Sequence, residues 1–433
     1  MNTAYANDTE QSPKILLYAA GMLIIVSIGR IQEIFSFLQP LRLGMIAYIL
    51  NIILILLFLN KKELKLKIKI LPHSKILIAL TCIVILSIPL SVWPGGSIKF
   101  FLDIYLYLLI FFIALLHAIR SEMDMKFVLG TALASFFIMT FFAVSGHEGG
   151  RISATSTYDA NDFASLLVCA IPLIFYLAQT QKALSKFLSY CFLGMALIAV
   201  IYTGSRGGFV GLAVVLLVIF LKERRHMLRT LFLVTVVAII GFNFADHEYL
   251  DRIRSIADPN DYNYHAEGGR LETWKRGLGF MLDNPLLGVG IGQYSTADGL
   301  SAGGREGWKW STAHNSYIQI GAELGIGGLL LFLGLLFKSI TVLRRLRKID
   351  TSTVNKTFIG AMSNGLEVSI YGYMVTSLFL SHAYSSMLFF LLANVICLHA
   401  MVIRHEYALC ADTKSVSQKN MKSRTTPSAS SSI

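Results

Sequence analysis

The chain has 433 residues, of which 55% are hydrophobic and 15% are charged, and its net charge is +12. A soluble globular protein carries about 25% charged residues, so this composition excludes an ordinary soluble enzyme, a disordered chain and a small disulfide scaffold. The apolar stretches are too long and unbroken for the alternating strands of a membrane barrel, and a bilayer requires backbone polar groups to be satisfied within the chain. The composition therefore predicts an all-α, polytopic membrane protein.

Twelve apolar stretches are long enough to cross a bilayer, because a spanning helix needs about 20 mainly apolar residues. They divide the chain into nine spans within residues 1–245, a polar loop over 246–313, three spans within 314–403 and a tail over 404–433. The tail is rich in Ser, Thr and Lys and is predicted to be disordered. The predicted spans lie near residues 14–29, 41–59, 76–93, 98–117, 126–145, 162–178, 184–202, 207–221, 228–245, 315–341, 357–380 and 383–403.

The basic residues are distributed unevenly between the two sides of these spans. With the amino terminus in the cytoplasm, about two thirds of the 38 lysines and arginines fall in the inner segments. This positive-inside bias predicts that both termini are cytoplasmic and that the long polar loop lies on the outer side. It also explains the basic charge without a nucleic-acid partner.

The loop over 246–313 interrupts the alternation of apolar spans and short connections. Apolar residues recur at helical spacing from Arg270 to Leu282, which predicts an amphipathic helix lying on the membrane surface. Asn284-Pro285 ends this helix, and glycines at 288, 290 and 292 predict a flexible loop that returns to the membrane. The apolar face of the helix consists of Leu271, Trp274, Leu278 and Met281.

Arg206 lies at the outer boundary of the predicted eighth span, within the run Thr203-Gly204-Ser205-Arg206-Gly207-Gly208. The glycines allow a tight turn at the interface, and the small neighbours would give a bulky anion access to the guanidinium. The alternative is an arginine that extends from a helix end into the interface without a catalytic role.

Two further arginines belong to the loop helix, and Arg270 opens it after Gly268-Gly269. A cation near a helix start opposes the macrodipole, so Arg270 is not expected to stabilise the helix. A phosphate bound at that amino-terminal end would suit both the guanidinium and the free backbone amides. Arg276 follows on the same helix and could bind the same anion. The alternative is that both are solvated loop residues.

His314 marks the change from polar to apolar residues at the start of the tenth predicted span. A neutral imidazole is well suited to take a proton from an attacking hydroxyl near neutral pH. The adjacent Asn315 could orient the imidazole or bind a sugar. The alternative is a purely structural histidine, as a lone histidine often is.

A polar run, Asp159-Ala160-Asn161-Asp162, follows Arg151 and precedes the sixth predicted span. One interpretation is an ordinary Asx helix cap at Asp159. The other is that Asp159 and Asn161 hydrogen-bond a sugar or orient an arginine.

Two carboxylates, Glu323 and Glu367, fall within the tenth and eleventh predicted spans. Carboxylates inside a membrane are costly, which makes them functional candidates by default. No Walker A loop, HExxH motif, Cys/His cluster or D-x-D pair occurs in the sequence. Because metal-dependent transferases and ATPases require such motifs, the sequence predicts chemistry without a metal or another cofactor.

The outer-side motifs, in their order along the chain, resemble the superfamily of O-antigen ligases and Wzy-type polymerases, which are bacterial envelope glycosyltransferases. The resemblance covers residues 150 to 335 by motif and the whole chain by topology. It rests on Arg151 with Asp159 to Phe163, Ser205-Arg206-Gly207-Gly208, Gly269-Arg270 with Trp274, Asn284-Pro285-Leu286-Leu287-Gly288-Val289-Gly290, His314-Asn315-Ser316-Tyr317 and Gly325 to Gly328.

The resemblance implies a twelve-span enzyme of the bacterial inner membrane whose active site faces the periplasm. Such an enzyme transfers a glycan from undecaprenyl diphosphate to a hydroxyl, with inversion and without a metal. Family members use two arginines and a histidine, and the matching residues here are Arg206, Arg270 and His314. Arg276 or Arg305 could replace Arg270 as the loop arginine that reaches the diphosphate.

The superfamily has three acceptor types: lipid A–core for a ligase, another lipid-linked repeat for a polymerase, and a Ser or Thr hydroxyl for a protein ligase. The single large loop after the ninth span favours the ligase, and an O-antigen or exopolysaccharide polymerase is the alternative. Protein ligases tend to carry a further carboxy-terminal outer domain, whereas the tail here is short and predicted to be inside. A secondary transporter is the alternative from another class, but it would place its polar site midway through the membrane.

Overall fold

The computed structural model describes residues 13–58, 72–147, 149–223, 269–303, 310–349 and 355–404. Within these ranges the chain forms helices and no strand, which confirms the all-helical prediction. Short helical turns at Ile31–Ile34 and Ser36–Leu41 connect the first two helices. The helices are α1 (Lys14–Ser27), α2 (Leu43–Leu57), α3 (Pro72–Ser87), α4 (Pro94–Ala118), α5 (Glu122–Ser145), α6 (Ala160–Ala178), α7 (Ala183–Tyr202), α8 (Arg206–Lys222), α9 (Arg270–Asp283), α10 (Tyr294–Ser301), α11 (Ser316–Leu346), α12 (Lys356–Thr376) and α13 (Ser386–Arg404).

Six helices among the described residues are long and apolar enough to cross a membrane, namely α4, α5, α6, α7, α11 and α13. Helices α1, α2 and α3 are shorter but also apolar. The chain is therefore a multi-pass membrane protein. The ninth predicted span (228–245), the first part of the long loop and the tail lie outside the described residues. The count of twelve spans and the division of the chain around the loop remain predictions.

Helix α6 lies at the centre of the bundle, with nearly all of its residues buried between α7, α8 and α12. A helix that is apolar on all sides is expected in such a position. Small residues let its neighbours approach closely, as helix packing in membranes requires. A Cβ atom at Gly211 of α8 would lie 2.6 Å from Thr376 Cγ2 of α12. Interhelical hydrogen bonds add to this packing, such as Ser165 Oγ to Thr376 Oγ1 at 2.8 Å.

Helix α11 is interrupted at Gly325, whose φ of 72° and ψ of −173° are not helical. The break frees the carbonyls of Ala322 and Glu323, which accept hydrogen bonds from the amides of Val289 (2.8 Å) and Gly290 (3.0 Å). The segment that follows α9 therefore crosses α11 at its break and replaces the lost helical hydrogen bonds.

The conformation of this segment corrects the prediction that its glycines form a flexible loop. Gly288 and Gly290 have φ values of 64° and 100°, which favour glycine. A Cβ atom at Gly288 would lie 2.3 Å from the backbone carbon of Glu323, and one at Gly290 would lie 2.3 Å from Ser91 Cβ. The glycines are there for close backbone approach, and they hold this segment in place.

Helix α9 begins at the predicted residue and ends one residue later than predicted. It packs on α11 through small positions, since a Cβ atom at Gly277 would lie 2.4 Å from Ile318 Cγ2. Leu271, Leu278 and Leu282 remain exposed. An exposed apolar edge on a helix of this kind suits a position at a membrane surface.

Candidate active site

The segment 377–382, between α12 and α13, joins the starts of three helices. The amide of Ser316, the first residue of α11, donates to Ser377 O at 2.8 Å. A Cβ atom at Gly207 of α8 would lie 2.8 Å from Phe379 Cβ. His382 Nε2 lies 2.7 Å from Asp162 Oδ1 in the first turn of α6. The amino-terminal ends of α6, α8 and α11 therefore meet at one end of the bundle, which we call the His314 end.

Each of these three helices begins with a capping side chain that accepts hydrogen bonds from first-turn amides. Asp159 Oδ1 accepts from the amides of Asn161 (2.7 Å) and Asp162 (2.9 Å). Asn315 Oδ1 caps α11 in the same way, and Ser205 Oγ caps α8. Such caps are worth about 1 kcal/mol each. Asp159 and Asn315 thus have structural roles, and their binding of substrate remains a prediction.

Asn161 orients an arginine, which is one of the two roles that its position suggested. Its Oδ1 accepts from Arg151 Nη2 at 2.8 Å, and Arg151 Nε donates to Thr203 O at 2.8 Å. Arg151 thereby connects the start of α6 to the turn that precedes Arg206. A direct contact of Asn161 with a sugar remains a prediction.

His314 precedes Asn315, the cap of α11, in a left-handed backbone conformation with φ of 47°. Its amide donates to Ser381 Oγ at 2.8 Å, which fixes the backbone against the 377–382 segment. Its Nε2 lies 3.3 Å from Thr312 Oγ1, and the residue is exposed at one edge. A non-glycine residue in this conformation carries strain, and such strain is common at functional sites.

The charges around His314 have both signs. Partial desolvation and the guanidinium of Arg270 lower the pKa of His314, whereas the carboxylates of Asp159 and Asp162 raise it. The net effect is a pKa below the ordinary value of 6.5. The imidazole is therefore neutral near pH 7 and able to accept a proton.

Arg270 is the first residue of α9, and its helix is attached directly to the segment that carries His314. Trp274 Nε1 donates to Ala313 O at 3.0 Å, one residue before the histidine. The guanidinium of Arg270 also lowers the pKa of His314, so its charge lies near the imidazole. The structure thus brings together two residues that are 44 positions apart in the chain.

Arg276 has a different environment from Arg270. Its Nε donates to Asp298 Oδ1 at 2.6 Å, and Asp298 has no exposed surface. The other oxygen of Asp298 accepts from the amide of Ser311 at 3.0 Å. Arg276 therefore holds α9, α10 and the approach to His314 together, which favours Arg270 as the loop arginine for a ligand. Arg305 lies outside the described residues.

Arg206 is the first residue of α8 and is half-buried. The preceding Gly204 turns the chain with φ of 57°, and Gly208 packs so closely that a Cβ atom there would lie 2.5 Å from Ala164 Cβ. The glycines thus permit α8 to begin against α6 and against Phe379. Arg206 and Arg270 both occupy helix starts, where backbone amides and the macrodipole favour an anion.

Sequence reasoning missed the pair formed by Asp162 and His382. The only signal was a polar Ser381-His382 step between two apolar stretches, on the same side of the membrane as His314. The pairing depends on packing of the 377–382 segment against the start of α6, since the two residues are 220 positions apart in sequence.

The two intramembrane glutamates have protein partners. Glu323 accepts from the amides of Gly292 (3.0 Å) and Tyr294 (3.4 Å), so it fixes the glycine segment to α11. Glu367 binds Lys222 Nζ at 2.6 Å and Arg344 Nε at 2.7 Å. These contacts explain both carboxylates structurally. Among the described residues, no group of three or more His, Cys, Asp or Glu side chains could hold a metal ion.

Comparison with known families identifies the central part of the chain. Residues 190–333 match the family model described as O-antigen ligase. This part of the chain is therefore similar to the O-antigen ligase family. This confirms the resemblance that the motifs suggested, and the matched range contains Arg206, Arg270 and His314. No curated protein matches the chain.

Proposed function

We propose that this protein is an inverting, metal-independent glycosyltransferase of the bacterial inner membrane. It moves a glycan from undecaprenyl diphosphate to a hydroxyl of lipid A–core at the periplasmic face, and both of its termini are cytoplasmic. The observation that carries the proposal is the hydrogen bond from Trp274 Nε1 to Ala313 O at 3.0 Å, which ties the helix that begins with Arg270 to the residue before His314. The start of α8, which bears Arg206, meets the same 377–382 segment that binds the His314 amide.

Arg206 and Arg270 are proposed to bind the diphosphate. Negative charge on the leaving diphosphate grows as its bond to the anomeric carbon breaks. A guanidinium offers bidentate hydrogen bonds to such oxygens, and charge-assisted bonds are worth about 1.5–3 kcal/mol each. Both arginines lie in the first turn of a helix, where the macrodipole also favours an anion. Interactions that strengthen as charge develops lower the barrier rather than only tightening binding.

His314 is proposed as the general base. A neutral ring nitrogen accepts the proton of the acceptor hydroxyl while its oxygen attacks the anomeric carbon from the side opposite the diphosphate. One C–O bond forms and one breaks, so the anomeric configuration inverts. Because the pKa of His314 is lowered, the ring is neutral at the pH where it has to work. Asp159, Asn161, Asn315 and Arg276 would support this site as positioning or substrate-binding residues.

The position of the proposed site residues also helps to distinguish a transferase from a transporter. A transporter needs a polar site midway through the membrane, whereas Arg206, Arg270 and His314 all occur at or before helix starts at one end of the bundle. A Wzy-type polymerase would use the same donor and chemistry with a lipid-linked repeat as the acceptor. It is the second candidate, because the family match favours this chemistry without identifying the acceptor.

The first experiment is a lipopolysaccharide gel of a deletion strain, run beside an assay of undecaprenyl-linked glycan. The deletion is complemented with wild type, His314→Ala or His147→Ala. His147 is a matched control, since it is another histidine outside the predicted spans and contacts the ring of Tyr202. We expect unsubstituted core and accumulation of lipid-linked polymer in the deletion and in His314→Ala, but not in His147→Ala.

Two other results have clear meanings. Core capped by a single repeat would identify a polymerase rather than a ligase. An unchanged ladder and unchanged lipid-linked glycan in the deletion strain would contradict transfer to lipid A–core and to a second repeat, and would favour another acceptor or the transporter.

A further inference from the structure

A cavity of about 500 Å³ lies at the His314 end of the bundle. Its walls come from the end of α1, the start of α2, the first half of α4, the start of α6 and the segment that leads into α13. None of the residues that the resemblance identified as catalytic lines it. The cavity is therefore separate from the proposed diphosphate site, and diphosphate binding does not account for it.

The cavity and the candidate active site share one wall. Asp162 and His382 both line the cavity and are paired at 2.7 Å. Ser381, the residue before His382, accepts the hydrogen bond from the amide of His314. A group bound in the cavity would thus lie next to the proposed base, separated from it by the Asp162–His382 pair.

The cavity wall combines aromatic faces, hydroxyl groups and charges of both signs. Charged residues on it are Arg30, Asp103 and Asp162, so two carboxylates accompany a single guanidinium. This balance is unsuitable for a diphosphate. An aliphatic lipid tail would desolvate the charged side chains of the wall, which is costly. The tyrosines of the wall are Tyr48, Tyr107, Tyr158, Tyr373 and Tyr384.

Two polar atoms of the wall are buried without a hydrogen-bond partner among the described residues. They are Arg30 Nε, a donor, and Gln32 Oε1, an acceptor. The rest of Arg30 is held in place, because its guanidinium lies 5.7 Å from the ring centroid of Tyr158 and 3.5 Å from Glu33. Buried polar groups normally have partners, so each exception requires an explanation. Both residues also line the cavity, so a ligand with both donors and acceptors suits this part of its wall.

We infer that this cavity binds one sugar ring of the glycan substrate, either uncharged or bearing an amine. Aromatic faces pack on the C–H faces of a sugar, and carboxylate, amide and guanidinium groups bond its hydroxyls. Arg30 and Gln32 are the binding residues, and the Asp162–His382 pair positions the ring beside His314. The inference rests on the proposed transferase function. The ring belongs either to the acceptor or to the donor glycan.

The test uses the purified full-length protein and two phosphate-free probes from the host. One is delipidated, dephosphorylated core oligosaccharide, and the other is the glycan released from the undecaprenyl carrier by mild acid. Saturation-transfer NMR and calorimetry measure binding to wild type, Arg30→Ala, Gln32→Leu and Arg42→Ala. Arg42 is a matched control because it is also an arginine in the α1–α2 connection with a left-handed backbone (φ of 46°), but it does not line the cavity.

We expect one probe to bind wild type and Arg42→Ala equally. We expect Arg30→Ala and Gln32→Leu to bind it at least about ten-fold more weakly, the scale of a lost hydrogen bond to a charged group. In the transfer assay, the KM for the matching substrate rises while kcat changes less. The probe that binds identifies the source of the sugar. Gln32→Leu preserves the shape of the side chain, so its binding result remains informative even if Arg30→Ala fails to fold.

The inference is overturned if neither probe binds wild type, or if both cavity variants bind and transfer like wild type. That failure differs from a failure of the proposed function. His314→Ala is expected to bind the probe and to lose transfer. If His314→Ala transfers normally, the proposed base is wrong whatever the cavity variants show.

Discussion

Two charged clusters lie toward opposite ends of the same helices, and they differ in how their charges are satisfied. At the His314 end, an exposed imidazole interacts with a guanidinium and with two carboxylates. Toward the other end, Lys222, Arg344 and Arg347 converge on Glu367, which is only 1% exposed. Helix α8 begins with Arg206 and ends with Lys222, so one helix contributes to both clusters.

An ionisable residue in a membrane is therefore not by itself a functional site. Glu367 was a candidate because a carboxylate in a span is costly. The structure surrounds it with three cations and the hydroxyl of Tyr371, which donates to Oε1 at 2.9 Å. A carboxylate with this many partners has no acceptor capacity left for a substrate. The His314 end keeps an exposed ring, as the proposed chemistry on a large glycan would require.

Of the variants considered, we expect His314→Ala to lose the most activity. Removal of a general base typically costs 10²–10⁴-fold in rate, so we expect a loss of about that size. The measurement is glycan transfer in membrane vesicles that contain equal amounts of inserted protein. His147→Ala should stay close to wild type. A His314→Ala rate within about three-fold of wild type would be too small a loss for a general base and would remove His314 from the mechanism.

The second prediction concerns stability at the other cluster. Glu367→Gln leaves three cations without their common carboxylate, and breaking a buried ion pair costs about 3–5 kcal/mol. The loss of folding free energy should lie toward the lower end of this range, since the Arg344 side chain is 58% exposed and solvent screens its charge. We expect less folded protein in detergent and a lower Tm. The rate per folded molecule should be unchanged, and a selective loss of rate would give Glu367 a catalytic role.

The third prediction separates the two arginines of α9. Arg276→Ala leaves the buried carboxylate of Asp298 unpaired, so it should destabilise the protein and lower Tm. Arg270→Ala should lower the transfer rate with little change in Tm. Thermal unfolding and transfer measured on the same preparations distinguish these outcomes. The reverse pattern would make Arg276 the loop arginine that binds the diphosphate.

The helices were largely predictable because apolar length alone reports a buried or membrane-embedded segment. The first residues of the helices were less predictable, since they depend on single capping side chains. Helix α5 begins four residues before the predicted 126, where Ser121 and Asp124 form a reciprocal capping box. The break at Gly325 was not predictable, because the apolar run continues through it and only the carbonyl acceptors reveal it.

The candidate site was predictable only in part. The sequence allowed the selection of Arg206, Arg270 and His314, because they lie at predicted membrane boundaries and follow the order typical of the family. Their common position at one end of the bundle depends on tertiary packing. The division of labour between Arg270 and Arg276 depends on Asp298, which is 22 residues from Arg276 and has no distinctive sequence signal. His382 was missed for the same reason, since its partner Asp162 is far away in the chain.

The smallest expected effect is a shift in the pH dependence of transfer, and it tests the charges around His314 most directly. The pKa of His314 is below 6.5, so transfer by wild type should fall only when the pH drops below that value and the ring becomes protonated. Arg270 lowers this pKa, so Arg270→Gln should raise it and move the acid limb of the residual activity to higher pH. Asp159 raises the pKa, so Asp159→Asn should move the acid limb to lower pH.

Asn caps a helix as well as Asp does, so Asp159→Asn should preserve the start of α6 while removing the charge. Opposite shifts in the two variants are expected only if the imidazole lies between these charges, as the structure has it. Arg42→Ala, which removes a positive charge from the connection between α1 and α2, serves as the reference for a general electrostatic effect. Shifts of the same sign in both variants would mean that another group controls the acid limb, and that the proton is accepted elsewhere.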